Sequence, residues 1–233
     1  MIYIIGDSHV SVFSGTDTRE INGERHIQPE FGTQYTIEKG QFTPMNKFEQ
    51  RIPYFCPIKI GSNTAYNSFN KLPIIEQVIR EYKITKKDHV YLCFGEIDIR
   101  NHIGQNTNRT SSIESVTEEC VNRYMKTILY LVKTGLNIGV YAPIASSVGT
   151  PNLKGYMDVT TRNKMTLYFN EILKYKCENH SIDFRDISKK LMLPDGTTDE
   201  RYLMDELHLG QLAMPIIKEE FNDIICKTDI RSI

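Results

Sequence analysis

No stretch of this sequence approaches the apolar length that a membrane span requires, and no membrane partner is expected. Neither sign of charge dominates, with 28 Lys and Arg against 29 Asp and Glu and a formal charge of −1. That balance argues against a general electrostatic nucleic-acid binder. The five cysteines (Cys56, Cys93, Cys120, Cys177 and Cys226) show no Cys-x-x-Cys spacing, and their odd number leaves at least one unpaired. Buried reduced thiols are the simplest reading, which points to a cytoplasmic protein. The first residues, Ile-Tyr-Ile-Ile, reach Gly6 without the cationic start and long apolar segment of a signal peptide. The sequons at Asn108 and Asn179 are then without consequence. No internal repeat, low-complexity linker or charge block divides the 233 residues, so one domain spanning 1–233 is expected.

What is present is a set of short apolar runs alternating with helical patterns, in the βαβ manner of a parallel sheet covered on both faces. The runs are Ile2 to Ile5, Phe55 to Ile60, His89 to Phe94, Asn137 to Ala142 and Ser181 to Phe184. Helices are expected near Thr64, over Leu72 to Tyr82, Ser115 to Thr134 and Arg162 to Cys177, with a closing helix from Gly210 to Ile225 despite Pro215. The segment at about 14–53 is irregular, with Phe13, Phe31, Tyr35, Phe42 and Phe48 among Gly, Thr, Asn and Gln. It either shapes a substrate pocket or forms a surface hairpin or oligomer contact.

Two short motifs at opposite ends carry the chemistry. Gly6-Asp7-Ser8-His9 follows the first apolar run, and Asp205-Glu206-Leu207-His208 stands before the closing helix. A serine where a buried strand hands over to a helix has its hydroxyl at the C-terminal edge of the sheet, among backbone N–H groups able to hold an oxyanion. Serine is a poor nucleophile unless an imidazole removes its proton. His208 is the candidate base, and Asp205 is the candidate carboxylate that orients it. The bland alternatives are that Ser8 only caps the first helix and that Asp205 only caps the last.

The two motifs resemble the first and last sequence blocks of the SGNH, or GDSL, hydrolases, Gly-Asp-Ser and Asp-x-x-His. Between them, Gly61-Ser62-Asn63-Thr64-Ala65 resembles the glycine block. Phe94-Gly95-Glu96-Ile97-Asp98-Ile99-Arg100 occupies the place of the Gly-x-Asn-Asp block. The resemblance implies a three-layer α/β/α fold with a central, mostly parallel, five-stranded sheet of flavodoxin-like order. It further implies catalysis by Ser8, Asp205 and His208 without metal or organic cofactor. The family's third-block asparagine completes the oxyanion hole, and Ile97 stands in its place. Losing one such donor costs about 3–4 kcal/mol of transition-state stabilisation. The donors then expected are the Ser8 and Gly61 N–H groups with the Asn63 amide or the Arg100 guanidinium.

The variant Gly-Glu-Ile-Asp-x-Arg is similar to that of SGNH-like proteins associated with carbohydrate processing. The resemblance therefore implies an esterase acting on an O-acyl ester, O-acetyl in the first instance, of a carbohydrate or other small molecule. The alternatives are an O-acyltransferase using the same site and a non-catalytic carbohydrate-binding protein. Asp7 is expected to accept backbone N–H groups of its turn. His9, Glu96, Asp98 and Arg100 are expected to bind substrate or orient the site, as a salt-bridged network in preference to a metal site. Arg162 and Asn163 read as solvated, and the cysteines as core.

Overall fold

A computed structural model describes residues 1–14, 54–107, 111–147, 157–205 and 207–229, with the backbone of four short strands between residues 19 and 44. Strand β1 (Ile2–Gly6) lies between β2 (Phe55–Lys59) and β3 (His89–Cys93), parallel to both. β4 (Asn137–Tyr141) pairs with β3, and β5 (Asp183–Arg185) with β4, again in parallel. The order β2-β1-β3-β4-β5 reverses direction between β1 and β3, where open α/β sheets place their ligand crevice. Beyond β2 the insert adds a parallel strand, Thr33–Glu38, and an antiparallel one, Gln41–Pro44. The expectation that Phe31, Tyr35, Phe42 and Phe48 shape a pocket lies outside the described side chains; Phe13 is fully buried core.

Because side chains alternate along a strand, both faces of β1 and β3 must be covered. Ile5, Val90 and Leu92 face a core shared with helices α1 (Leu72–Glu81), α2 (Ile113–Val132) and α3 (Val159–Asn179). Ile2, Ile4, Tyr91 and Cys93 face a second core closed by the 3-10 helix Ser8–Ser14 and helices α4 (Met214–Glu220) and α5 (Asn222–Asp229). Phe221, between α4 and α5, meets Phe13, Phe55 and Tyr91 edge to face. Each such pair adds about 0.5–1.5 kcal/mol beyond simple burial.

The differences from the sequence reading have local causes. α3 begins at Val159, ahead of Arg162, because the Asp158 carboxylate caps it by accepting the Thr161 N–H at 2.8 Å. The closing segment is divided. Pro215 lacks a donor, so it sits in the first turn of α4, where none is needed, after a 3-10 turn at Gln211–Ala213. No helix starts at Thr64: Ala65 and Tyr66 direct their N–H groups to Asp98, and a 3-10 turn at Ser68–Lys71 leads into α1. Among the described residues no helix is long and apolar enough to cross a membrane.

Candidate active site

The C-terminal ends of β1, β2 and β3 bring the motifs together. Gly6 pairs with Lys59 and with Cys93, and its carbonyl accepts the Ile60 N–H at 2.8 Å. Ser8 opens the 3-10 helix immediately beyond. The second motif is a tight turn: Asp205 Oδ1 accepts the backbone N–H groups of Leu207 and His208, both at 2.7 Å. The other carboxylate oxygen, Oδ2, lies 2.7 Å from His208 Nδ1, and His208 Nε2 lies 2.7 Å from Ser8 Oγ. With the Nδ1 proton donated to Asp205, Nε2 is left as the acceptor for the Ser8 hydroxyl. Burial works to raise the Asp205 pKa, but the His208 hydrogen bond and charge and the two N–H donors hold it well below the usual carboxylate range. Asp205 thus caps its own turn; α4 starts only at Met214.

The expected polar network divides in two. Glu96 and Arg100 face each other one helical turn apart, Arg100 Nε and Nη2 donating to Glu96 at 2.6 and 3.2 Å. Glu96 Oε2 also meets His9 Nε2 at 3.1 Å. The His9 ring lies against His208, with centroids 4.8 Å apart. Burial alone lowers the His9 pKa, yet Asp7 and Glu96 overcome it and bring the value up to about 8, so this imidazole is largely cationic at neutral pH. Burial raises Glu96, but its bonds to His9 and Arg100 bring it down to about 2. Asp7 accepts the His9 N–H at 2.9 Å through Oδ1. Its Oδ2 has no partner among the described residues, and burial raises its pKa.

Asp98 belongs to neither His9 nor Arg100. Fully buried, it accepts the N–H groups of Ala65 and Tyr66 at 2.5 and 3.1 Å and the Cys120 thiol at 3.3 Å. It is therefore a clamp on the loop after β2, and of the two roles expected for it, orienting the site is the one that geometry fits. That loop carries Gly61, whose φ of +92° is natural only to glycine. It also carries Asn63, 4% exposed, whose Nδ2 donates to nothing among the described residues. Gly95 opens the third block at φ +125°, and a Cβ there would stand 3.0 Å from the Phe169 ring. Ile97 is partly exposed and offers no donor. The His102 ring lies tilted against Tyr66 and bonds Asn106, outside the network.

Reading Arg162 and Asn163 as solvated is incorrect: they are 1% and 4% exposed. Asn163 grips the loop after β4, accepting the Ser146 N–H at 2.8 Å and donating to the carbonyls of Ser146 and Gly196. Asn170 donates to the Pro143 carbonyl at 2.9 Å. Of the cysteines, Cys93, Cys120 and Cys177 are buried, whereas Cys226 is exposed. Between the ends of β3 and β4 lies a cleft of about 20 Å³, lined by Asp7, His9, Phe94, Glu96, Pro143 and Leu209 among others. That is space on the scale of one water or one methyl group.

No protein-family model matches the sequence, and no curated protein matches it. Solved structures do. A provisionally named acylhydrolase from Bacteroides fragilis has a TM-score of 0.56 at 15% identity, covering 97% of this chain and 86% of that one. A GDSL-like lipase from Bacteroides thetaiotaomicron gives 0.53 at 11% identity, covering 97% and 88%. A catalytic mutant of an acetylxylan esterase from Geobacillus stearothermophilus gives 0.50 at 14% identity, covering 94% and 91%. With its five parallel strands, two helical layers and near-complete overlap with these structures, the chain has the SGNH/GDSL hydrolase fold.

Proposed function

We propose that the chain is a serine esterase of the SGNH/GDSL type that cleaves a short O-acyl ester, acetyl in size, from a carbohydrate. The observation that carries this reading is the continuous hydrogen-bond chain from Ser8 Oγ through His208 to Asp205, each link 2.7 Å, at the C-terminal edge of the sheet. Ser8 Oγ attacks the ester carbonyl as His208 Nε2 takes its proton, and Asp205 stabilises the imidazolium so formed. The tetrahedral oxyanion is held by the Ser8 and Gly61 N–H groups and by the Asn63 amide, whose Nδ2 has no acceptor among the described residues and takes over from the amide that Ile97 lacks. His208 returns the proton to the leaving alcohol. Water then attacks the acyl-Ser8 carbonyl with the same proton relay and releases the acid. A second alcohol in place of water would make the site an acyltransferase.

The acetyl group in this reading rests on the resemblance of the Gly-Glu-Ile-Asp-x-Arg block and on the acetylxylan esterase of similar fold. An acetylxylan esterase of similar fold favours a sugar as the alcohol. The buried thiols fit a cytoplasmic setting. Ile97 favours a second reading, a carbohydrate-binding protein that keeps the fold without turnover. Labelling with a fluorophosphonate probe and hydrolysis of p-nitrophenyl acetate separate the two. The esterase reading expects labelling and turnover that vanish in Ser8→Ala and His208→Ala. Folded wild-type protein that neither labels nor hydrolyses the ester supports the binding protein.

A further inference from the structure

The residue after Ser8 in the first block meets the residue before Ile97 in the third. His9 Nε2 lies 3.1 Å from Glu96 Oε2, and Arg100 holds the same carboxylate from the next helical turn, Nε at 2.6 Å and Nη2 at 3.2 Å. The backbone of His9 is tied as well, its N–H donating to Asp7 Oδ1 at 2.9 Å. Burial and Arg100 disfavour the cationic form of the ring, and Asp7 and Glu96 favour it. Held in this way, the His9 ring lies against the His208 ring, with centroids 4.8 Å apart and planes inclined by 35°. The His208 ring needs such support. Asp205 bonds its Nδ1 and the turn fixes its backbone, but a single hydrogen bond at Nδ1 does not fix the tilt of an imidazole. The proton of Ser8 passes along the 2.7 Å contact to Nε2, and a transfer of that kind loses rate steeply when its geometry slips. A cation beside the forming imidazolium would oppose it, so the carboxylate that places the His9 ring also offsets its charge.

We propose that His9 is a positioning residue for His208, locked in place by Glu96 and Arg100, so that the third block here serves the general base. The role in turnover rests on the esterase reading; the support of the His208 ring does not. The test compares p-nitrophenyl acetate hydrolysis by the wild type, His9→Ala, His9→Gln, Glu96→Gln and the double variant of His9→Ala with Glu96→Gln. Folding is checked by circular dichroism, and the downfield NMR resonance of the proton between His208 Nδ1 and Asp205 is recorded for each. His9→Ala should lower kcat about ten- to a hundredfold with KM within about twofold, and should broaden or abolish that resonance. His9→Gln keeps a donor for Glu96 but removes the ring; it should lose kcat to a similar degree, and it serves if the alanine variant does not fold. Glu96→Gln should cost less, because its amide oxygen still accepts one bond. The double variant should be no slower than His9→Ala, since Glu96 acts through His9. Wild-type kcat or an undisturbed His208 resonance in folded His9→Gln, a loss confined to KM, or losses that multiply in the double variant would overturn the proposal. A wild-type protein that neither labels with fluorophosphonate nor turns over removes the esterase reading, and the resonance then decides the support of His208 on its own. An active, labelled wild type with unchanged kcat in His9→Gln removes the support alone.

Discussion

Asp98→Asn should make the stability difference from the wild-type protein depend on pH, with a change of sign or near-cancellation above neutrality. Burial raises the Asp98 pKa from 3.8 to about 7, although the N–H groups of Tyr66 and Ala65 pull it down. Between those values the unfolded chain has released its proton while the folded protein still holds it. The slope of stability against pH is then negative. The stabilisation is complete below the unfolded pKa and is lost as pH rises through the folded one. About three units at roughly 1.4 kcal/mol each amount to a loss of about 4 kcal/mol over that window. Asparagine cannot ionise and presents one acceptor oxygen, so one of the two loop N–H groups is left unpaired at a cost of about 1–3 kcal/mol.

The variant should therefore be less stable by about 1–3 kcal/mol near the acidic end of the window, where wild-type Asp98 is neutral. Above about pH 8 it should match or exceed the wild type, because the wild type has by then lost about 4 kcal/mol. Urea unfolding of both proteins, in parallel at the two ends, reads this difference. Subtraction removes the titrations of Glu96, His9 and Asp205, which the two proteins share. A difference that stays flat with pH would refute the raised pKa. A variant as stable as wild type in acid would refute the clamp on Ala65 and Tyr66.

Asp205→Asn should fold normally but lose p-nitrophenyl acetate hydrolysis by a factor on the order of ten thousand, because its amide no longer enforces the tautomer that leaves Nε2 free to accept; full activity would show that another group orients His208. Gly95→Ala should lose about 2–4 kcal/mol in urea unfolding, since φ +125° is strained for alanine and its Cβ would press on Phe169; wild-type stability would contradict that close approach. In the wild-type protein His9 should titrate near pH 8 by imidazole proton NMR. Its stabilising contribution is then present below about pH 6.5 and lost as pH rises through 8. Glu96→Gln should lower that titration point, and an unmoved value would break the coupling drawn between the two residues.

The parts of the site that were legible in the sequence are those where a motif and its geometry are local. Gly6-Asp7-Ser8 is a strand end running into a tight turn, and Asp205 to His208 is a turn closed by its own carboxylate. Their chemistry requires each other, so their meeting across the chain follows from complementarity. Arg162 and Asn163 were misread for a physical reason. Helical periodicity assigns the apolar stripe to the core, and the inward side of the first half of α3 is polar instead: Arg162, Asn163, Thr166 and Asn170 are all buried. That half of the helix lies over the edge where the strands stop and the loops begin. Loop backbone groups there have no ladder partner, so buried side chains must supply one. Asn163 does this for Ser146 and Gly196, Asn170 for Pro143, and Asp98 for Ala65 and Tyr66. A polar residue at helical spacing beside a strand end is therefore better read as a loop clamp than as a solvated face. Arg100 departs from that pattern, because its bonds go to the Glu96 side chain and its Nη1 has no acceptor among the described residues.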